Sequence, residues 1–311
     1  MPAEGHLPYP TQLRPRFGSV FMRETKILEI IRSQVSTAGD DAAIVPFHNS
    51  HLILTTDMLH RTSDFPAGAT PVTIGWRSVA VSLSDLAAMG AKPLGILLAL
   101  GDPKLEEGFV NGVLGGAMAC CRSVGTTLIG GDIDRHQELT LVTTGIGEAK
   151  QPIRRAGAHA GEVVCVTGEL GRTEAALALF AKGETKQANA LFQFSPRVYW
   201  GRKLVGLATS MIDISDGLAH SLHLLAQEGR VGFAIDARKL PFLSELDQLF
   251  PSHERLERIL FGGEDYELLF TIPQHLLKGG TNHVCCSVIG RVIKREVLLD
   301  GCELPDKGYE H

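Results

Sequence analysis

A chain of 311 residues, 44% hydrophobic and 21% charged, has material for two domains with ample core, which excludes a disordered or low-complexity protein. A net charge of −5 and a pI near 6.2 exclude a generally basic nucleic-acid binder. The best apolar run, residues 93–101, is too short to span a bilayer, and residues 1–17 are Pro-rich and polar without a signal core. A cytoplasmic protein with neither a membrane nor a nucleic-acid partner is expected. The six cysteines form no CxxC pair, and the neighbours Cys120-Cys121 and Cys285-Cys286 lie in apolar runs, as reduced core thiols do.

In chain order, residues 1–18 read as a flexible lead-in, and 21–35 carry Ile27, Ile30 and Ile31 at helical intervals. A Gly-Asp-Asp turn at 39–41 precedes a short strand, and the next strand, 52–55, runs into Thr56-Asp57. Residues 72–89 place Trp76, Val79, Ala80, Leu83, Leu86 and Ala87 on an amphipathic helix that Gly90 stops, with Asp85 at the margin of its apolar stripe. A strand at 93–100, a helix at 104–124, a strand at 126–129 ending in Gly-Gly-Asp, and a strand at 138–146 complete a domain expected to span 19–150. The second domain, 151–311, is expected to hold a strand at 163–167, a helix at 172–182, a polar surface segment at 182–193, and a helix running to about 207. A helix at 215–228 and strands at 231–235 and 284–289 follow. Gly168-Glu-Leu-Gly171 reads as a tight connection more than a phosphate-binding turn.

Five stretches share one grammar, a small or hydroxyl residue beside short acids at the edge of an apolar run: 39–41, 55–57, 84–85, 130–132 and 213–216. Taken singly, each reads as a turn or helix cap. Gathered by a fold, they supply the hard oxygen ligands that Mg²⁺ shares with water and phosphate. Gly-Gly-Glu-Asp-Tyr at 262–266 reads either as part of this set or as a Gly-rich hairpin with solvated acids. The chain has no GxxxxGK[ST], no protein-kinase motif set and no GxSxG elbow.

Six motifs then stand in order: Gly-Asp-Asp-Ala-Ala (39–43), Thr-Thr-Asp (55–57), Ser-Leu-Ser-Asp-Leu-Ala-Ala-Met-Gly (82–90), Gly-Gly-Asp (130–132), Asp-Ile-Ser-Asp-Gly-Leu (213–218) and Gly-Gly-Glu-Asp-Tyr-Glu-Leu (262–268). The set, with Gly308-Tyr309, resembles the thiamine-monophosphate kinase family, within the superfamily of aminoimidazole ribonucleotide synthetase and selenophosphate synthetase. The resemblance implies a two-domain α+β fold. Its N-terminal sheet-and-helix domain would join a partner's sheet in the barrel of a homodimer, and its C-terminal domain would be α/β. It also implies Mg²⁺-dependent phosphorylation of thiamine monophosphate by ATP. Matched position by position, it implies magnesium ligands at Asp41, Thr55, Thr56, Asp57, Asp85, Asp132, Asp213 and Asp216. Nucleotide contacts fall at Gly131, Asp132, Arg155 and Ser215, and acceptor contacts at Glu264 and Tyr309. Asp57, Asp132, Asp213 and Arg155 would carry the chemistry.

Two positions depart from the family pattern. Asp64-Phe65 stands where the family has His-Phe, and an acid there can pair with a cationic thiazolium or an aminopyrimidine. Gly-Gly-Asp-Ile-Asp-Arg replaces Gly-Gly-Asp-Thr-Thr-Arg, which keeps Arg135 and adds Asp134. A phosphate monoester is mostly a dianion at neutral pH, so the acceptor needs no catalytic base. Two other readings stay open here: a superfamily enzyme with a different acceptor, and a non-catalytic nucleotide-binding homologue.

Overall fold

The computed structural model describes residues 27, 30, 31, 33–35, 39–280 and 286–309, without the side chains of 278–280. Residues 1–36 with His311 form one unit and 37–310 another. In the first unit, Ile27, Ile30, Ile31, Ser33 and Gln34 are helical; the rest of the helix expected at 21–35, and the lead-in, lie outside the described residues.

The larger unit begins with β1 (Ala43–Phe47), β2 (Ser50–His60), α1 (Arg61–Asp64), α2 (Pro71–Ala88), β3 (Lys92–Gly101), α3 (Glu107–Ser123), β4 (Leu128–Asp134) and β5 (Thr140–Ala149). Its five-stranded sheet runs β1-β2-β5-β3-β4, parallel only between β3 and β4. β2 is one strand of 11 residues, longer than the apolar pattern implies, because Thr56, Asp57 and Met58 pair with Thr144, Thr143 and Val142 of β5. Likewise Gly130-Gly131-Asp132 lies inside β4, paired with β3, and does not end a strand.

α2 lies between the two halves of this unit. Thr70 caps it by accepting from Thr73 N–H, Pro71 fills its first turn, and Gly90, at φ +66, stops it as its sequence implies. Ile74, Val79, Leu83 and Leu86 are fully buried or nearly so, each contributing about 2 kcal/mol of apolar burial. The helix crosses α3 with almost no space between backbones. A Cβ on Gly75 would lie 1.8 Å from the Val113 carbonyl oxygen, and one on Gly116 would lie 1.9 Å from that of Val72.

The chain continues as β6 (Val163–Thr167), α4 (Arg172–Ala181), α5 (Thr185–Phe192), α6 (Val198–Leu204), β7 (Ser210–Asp213), α7 (Leu218–Gly229) and β8 (Gly232–Ile235). After short helices α8 (Leu246–Leu249) and α9 (Ser252–Phe261) come β9 (Leu268–Ile272), α10 (Gln274–Gly280), β10 (Cys286–Ile293), β11 (Val297–Leu299) and β12 (Cys302–Glu303). The seven-stranded sheet runs β12-β11-β8-β10-β6-β9-β7 and is parallel only between β8 and β11. One of its faces joins the core around α2, and the other is covered by α7 and α9.

The segment 182–193, expected to be polar surface, contains α5, which buries Ala188, Asn189 and Phe192. Asn189 is buried because its amide is fully used: it accepts from Thr70 N–H and donates to the carbonyls of Gly68 and Thr185.

Candidate active site

Three carboxylates from three elements meet beside α2. Asp41 comes from the turn before β1, Asp85 from α2 and Asp213 from the end of β7, and one oxygen of each lies within 4.8 Å of the others. Serines two apart on a helix point to different sides, so Ser82 reaches into the first sheet and Ser84 toward the second. Ser82 Oγ donates to Asp57 Oδ2 at 2.5 Å, and Ser84 Oγ to Asp213 Oδ2 at 2.5 Å. Thr55 Oγ1 donates to Asp85. Thr55 and Asp57 share the face of β2 that meets α2, as strand alternation requires.

Charge here is expensive. Burial, then Asp57, Asp213 and Asp41, holds Asp85 well above the usual carboxylate range. Burial and the Asp41 charge raise Asp213 to about 8, against the opposing Ser84 bond. Burial also raises Asp57 and Asp41. Burial alone would lower Arg155, but the Asp41 charge and hydrogen bond outweigh it; Nη2 donates to Asp41 Oδ1 at 2.8 Å. The neighbouring Asp40 fixes Arg155 from behind by accepting its backbone N–H at 2.9 Å. Asp41 Oδ2 is buried with no hydrogen-bond partner among the described residues. Clustered carboxylate oxygens, one of them orphaned, fit a hard divalent cation bound jointly with phosphate oxygens.

The remaining expected residues lie elsewhere. Thr56 sits on the opposite, exposed face of β2, bonded to the Thr143 carbonyl and Thr144 Oγ1. Gly131 and Asp132 are exposed on the edge strand β4. Ser215 and Asp216 follow Asp213 in the loop before α7, with Ser215 Oγ 3.3 Å from Asp216 Oδ2.

That loop is zipped to residues 264–267. Glu264 N–H donates to the Ser215 carbonyl, Tyr266 N–H to the Ile214 carbonyl, and Ile214 N–H to the Glu267 carbonyl. Beyond it opens a cavity of about 210 Å³ whose lining includes Asp64, Glu264 and Tyr309. These are the three residues expected to contact the acceptor. Asp64 also accepts the backbone N–H of His60 and the Ser63 hydroxyl, closing the α1 turn from its end. Glu174, on the wall, is paired with Arg258 at 2.7 Å. Tyr309 arrives on a tail that crosses the start of α7. Leu304 N–H bonds the Val297 carbonyl, His223 bonds the Leu304 carbonyl, His220 pairs with Asp306, and Tyr309 N–H donates to the Asp216 carbonyl.

The acids after Glu264 are structural, and solvated hairpin acids they are not. Asp265 and Glu267 are 3% and 2% exposed. Asp265 accepts the N–H groups of Gly171 and Arg172, so the glycine turn at the start of α4 already holds a carboxyl group from its own chain. Glu267 is clasped by Arg197 and by Thr167 Oγ1. Arg77 went unseen in the sequence: it is wholly buried in α2, its guanidinium 3.7 Å over the Phe192 ring. A helix margin gives no hint of this, since the groups that bury it stand more than a hundred positions away.

The family model for the AIR synthase related protein N-terminal domain matches residues 39–149, and that for the C-terminal domain matches 159–299. With this sheet pair and buried carboxylate cradle, the chain belongs to the AIR synthase related family. Thiamine-monophosphate kinase of Halobacterium salinarum is 44% identical over 294 residues, covering 93% of this chain and 100% of that one. The Methanospirillum hungatei kinase of the same name is 45% identical over 297 residues, covering 93% and 99%. A solved structure described as AaThiL complexed with AMPPCP and TMP superposes with a TM-score of 0.87 at 30% identity, covering 94% of this chain and 100% of that one. Within that family the chain belongs with the thiamine-monophosphate kinases.

Proposed function

We propose that this chain transfers the γ-phosphoryl group of ATP to thiamine monophosphate, giving thiamine diphosphate and ADP. The observation that carries this reading is the zipped pair of loops. Residues 213–216 supply Asp213 to the carboxylate cradle, and residues 264–267, bonded to them, supply Glu264 to the cavity. A phosphoryl-binding end and an acceptor-binding end therefore share one rigid connection.

Asp41, Asp85 and Asp213, supported by Asp57 and Thr55, are the residues that would hold Mg²⁺. Bound there, the metal would supply the positive charge that lets two polyanions meet. Arg155 adds a fixed cation beside them. Ser82, Ser84 and Thr55 hold the carboxylates in place through hydroxyl donors, leaving little to rearrange when ligands arrive. Asp64, Glu264 and Tyr309 orient the acceptor, the acids facing its cationic ring and the phenol ring offering a stacking surface. The acceptor phosphate is already ionised, so no side chain must remove a proton, and transfer is direct and in line.

The expected result with purified protein, ATP, Mg²⁺ and thiamine monophosphate is equal production of thiamine diphosphate and ADP. ATP binding without diphosphate formation would sink the assignment, and other phosphorylated acceptors would then be tried.

We also propose a homodimer, organised as domains 19–150 and 151–311. The face of the five-stranded sheet turned away from α2 exposes Met58 (59%), Leu97 (36%) and Ile129 (53%), an apolar surface that calls for a partner. Thr56, Gly131 and Asp132 lie on or beside that face, and we assign their ligand contacts to the assembled dimer. Light scattering should give twice the chain mass for the wild type and the single mass for Met58→Asp. A monomeric wild type would overturn the assignment. Among the described residues no helix is long and apolar enough to cross a membrane, and Cys120, Cys121 and Cys165 are free thiols. We take the reaction to be cytoplasmic.

A further inference from the structure

The 189–194 segment is bolted to the first half of α2. Asn189 binds Thr70, Gln193 Nε2 donates to Thr73 Oγ1, and Trp76 Nε1 donates to the Phe194 carbonyl at 2.7 Å. Arg77 adds a fourth link, Nη1 to the Phe192 carbonyl at 3.1 Å. The rest of its guanidinium is turned elsewhere. It lies flat over the Phe192 ring and sends Nη2 to within 2.9 Å of Glu264 Oε2, an ion pair without hydrogen-bond geometry. Its Nε, also buried, has no hydrogen-bond partner among the described residues. An arginine 0% exposed and incompletely bonded is costly to keep, and its packing alone would be met by an apolar side chain.

What the cation does touch is two walls of one cavity: Phe192 and Glu264 both line it. Glu264 is held by its backbone in a left-handed conformation at φ +67, with its N–H on Ser215 and its carbonyl accepting from Thr173 Oγ1. Those bonds fix where the side chain starts, while its carboxylate is met by Arg77. The other two acids of the cavity have their own anchors, Asp64 on the α1 turn and Glu174 on Arg258.

We infer that Arg77 is a positioning residue for the acceptor: from beneath the cavity it holds the Glu264 carboxylate against the Phe192 wall and so sets affinity for thiamine monophosphate without touching the phosphoryl end. The inference rests on the kinase reading above. Among the described residues no hydrogen bond or ion pair joins Arg77 to Asp41, Asp85 or Asp213, so its effect should fall on the acceptor and not on ATP. With Nη1 on the Phe192 carbonyl and Nη2 as a charge beside Glu264 Oε2, the guanidinium meets both groups at once, which a lysine's single ammonium cannot do.

The test is a double-mutant cycle of Arg77→Lys and Glu264→Gln, read as separate KM values for thiamine monophosphate and ATP, kcat, and thermal midpoint. Arg77→Lys should raise the KM for thiamine monophosphate about tenfold, with the KM for ATP unchanged. In the Glu264→Gln background the same change should have little further effect, because the partner it positions is already altered. Arg77→Met should exceed the lysine variant; should it fail to fold, the lysine variant, which keeps charge and stem, carries the test. Additive effects, or a KM for ATP that moves in parallel, overturn the inference. A wild-type chain that turns over thiamine monophosphate while Arg77→Lys matches it overturns the inference alone. A wild type that neither converts nor binds thiamine monophosphate overturns the kinase reading and this inference together.

Discussion

Asp213→Asn is expected to lower thiamine diphosphate formation on the order of a thousandfold at saturating substrates, measured as initial rate. The same variant should be no less stable than wild type when metal is chelated, because the carboxylate it removes is held under repulsion. The sign follows from linkage. Burial and Asp41 raise the folded-state value of Asp213 to about 8 from the ordinary 3.8. The folded, metal-free chain therefore binds that proton more tightly than the unfolded chain. This contribution to stability is fully present below 3.8 and is lost as the pH rises through about 8. Asparagine can still accept the Ser84 hydroxyl but does not titrate. Unfolding midpoints in chelator, taken between about pH 5 and pH 9, should fall more steeply for wild type than for the variant. Equal slopes would mean that Asp213 is already ionised in the folded chain across this range and its value is not raised. A variant with near-normal turnover would remove Asp213 from the reaction.

Gly116→Ala should destabilise the chain by about 3 kcal/mol or prevent its folding. The added methyl would stand 1.9 Å from the Val72 carbonyl oxygen and 2.9 Å from Trp76 N, both rigid backbone of α2. The helices must then separate, and α2 carries Arg77, Ser82, Ser84 and Asp85 with it. Gly115 supplies the control. A Cβ there meets nothing within 4 Å, so Gly115→Ala should be neutral or gain up to about 1 kcal/mol of helix propensity. Urea titrations of the two variants decide the matter: similar midpoints would show that the helices are not in close contact.

The cradle was largely legible in the sequence because its members are short acids beside Gly, Ser or Thr, and the fold does bring Asp41, Asp85 and Asp213 together. What could not be read was direction. Ending β2 at Thr55 hides the alternation that turns Thr56 away from Thr55 and Asp57, since polar residues in mid-strand look like a loop until β5 pairs with them. α5 was hidden for a related reason. Lys186, Gln187 and Asn189 make the stretch polar, and the burial of Asn189 depends on Thr70 and Gly68, which local periodicity does not register. Asp265 and Glu267 look solvated beside two glycines. Their partners, the N–H groups of Gly171 and Arg172 and the guanidinium of Arg197, come from distant parts of the chain.

The order in which the chain is made bears on when it becomes competent. Among the described strands, the one that delivers Asp213 pairs with β9 alone, so the cradle waits for residues 268–272. The acceptor wall waits longer still, for Tyr309 and the tail that carries it across α7. Contacts this remote in sequence form late and slowly. A chain made N-terminus first as far as Asp213 therefore holds all three cradle carboxylates in its sequence but not the strand that pairs with β7.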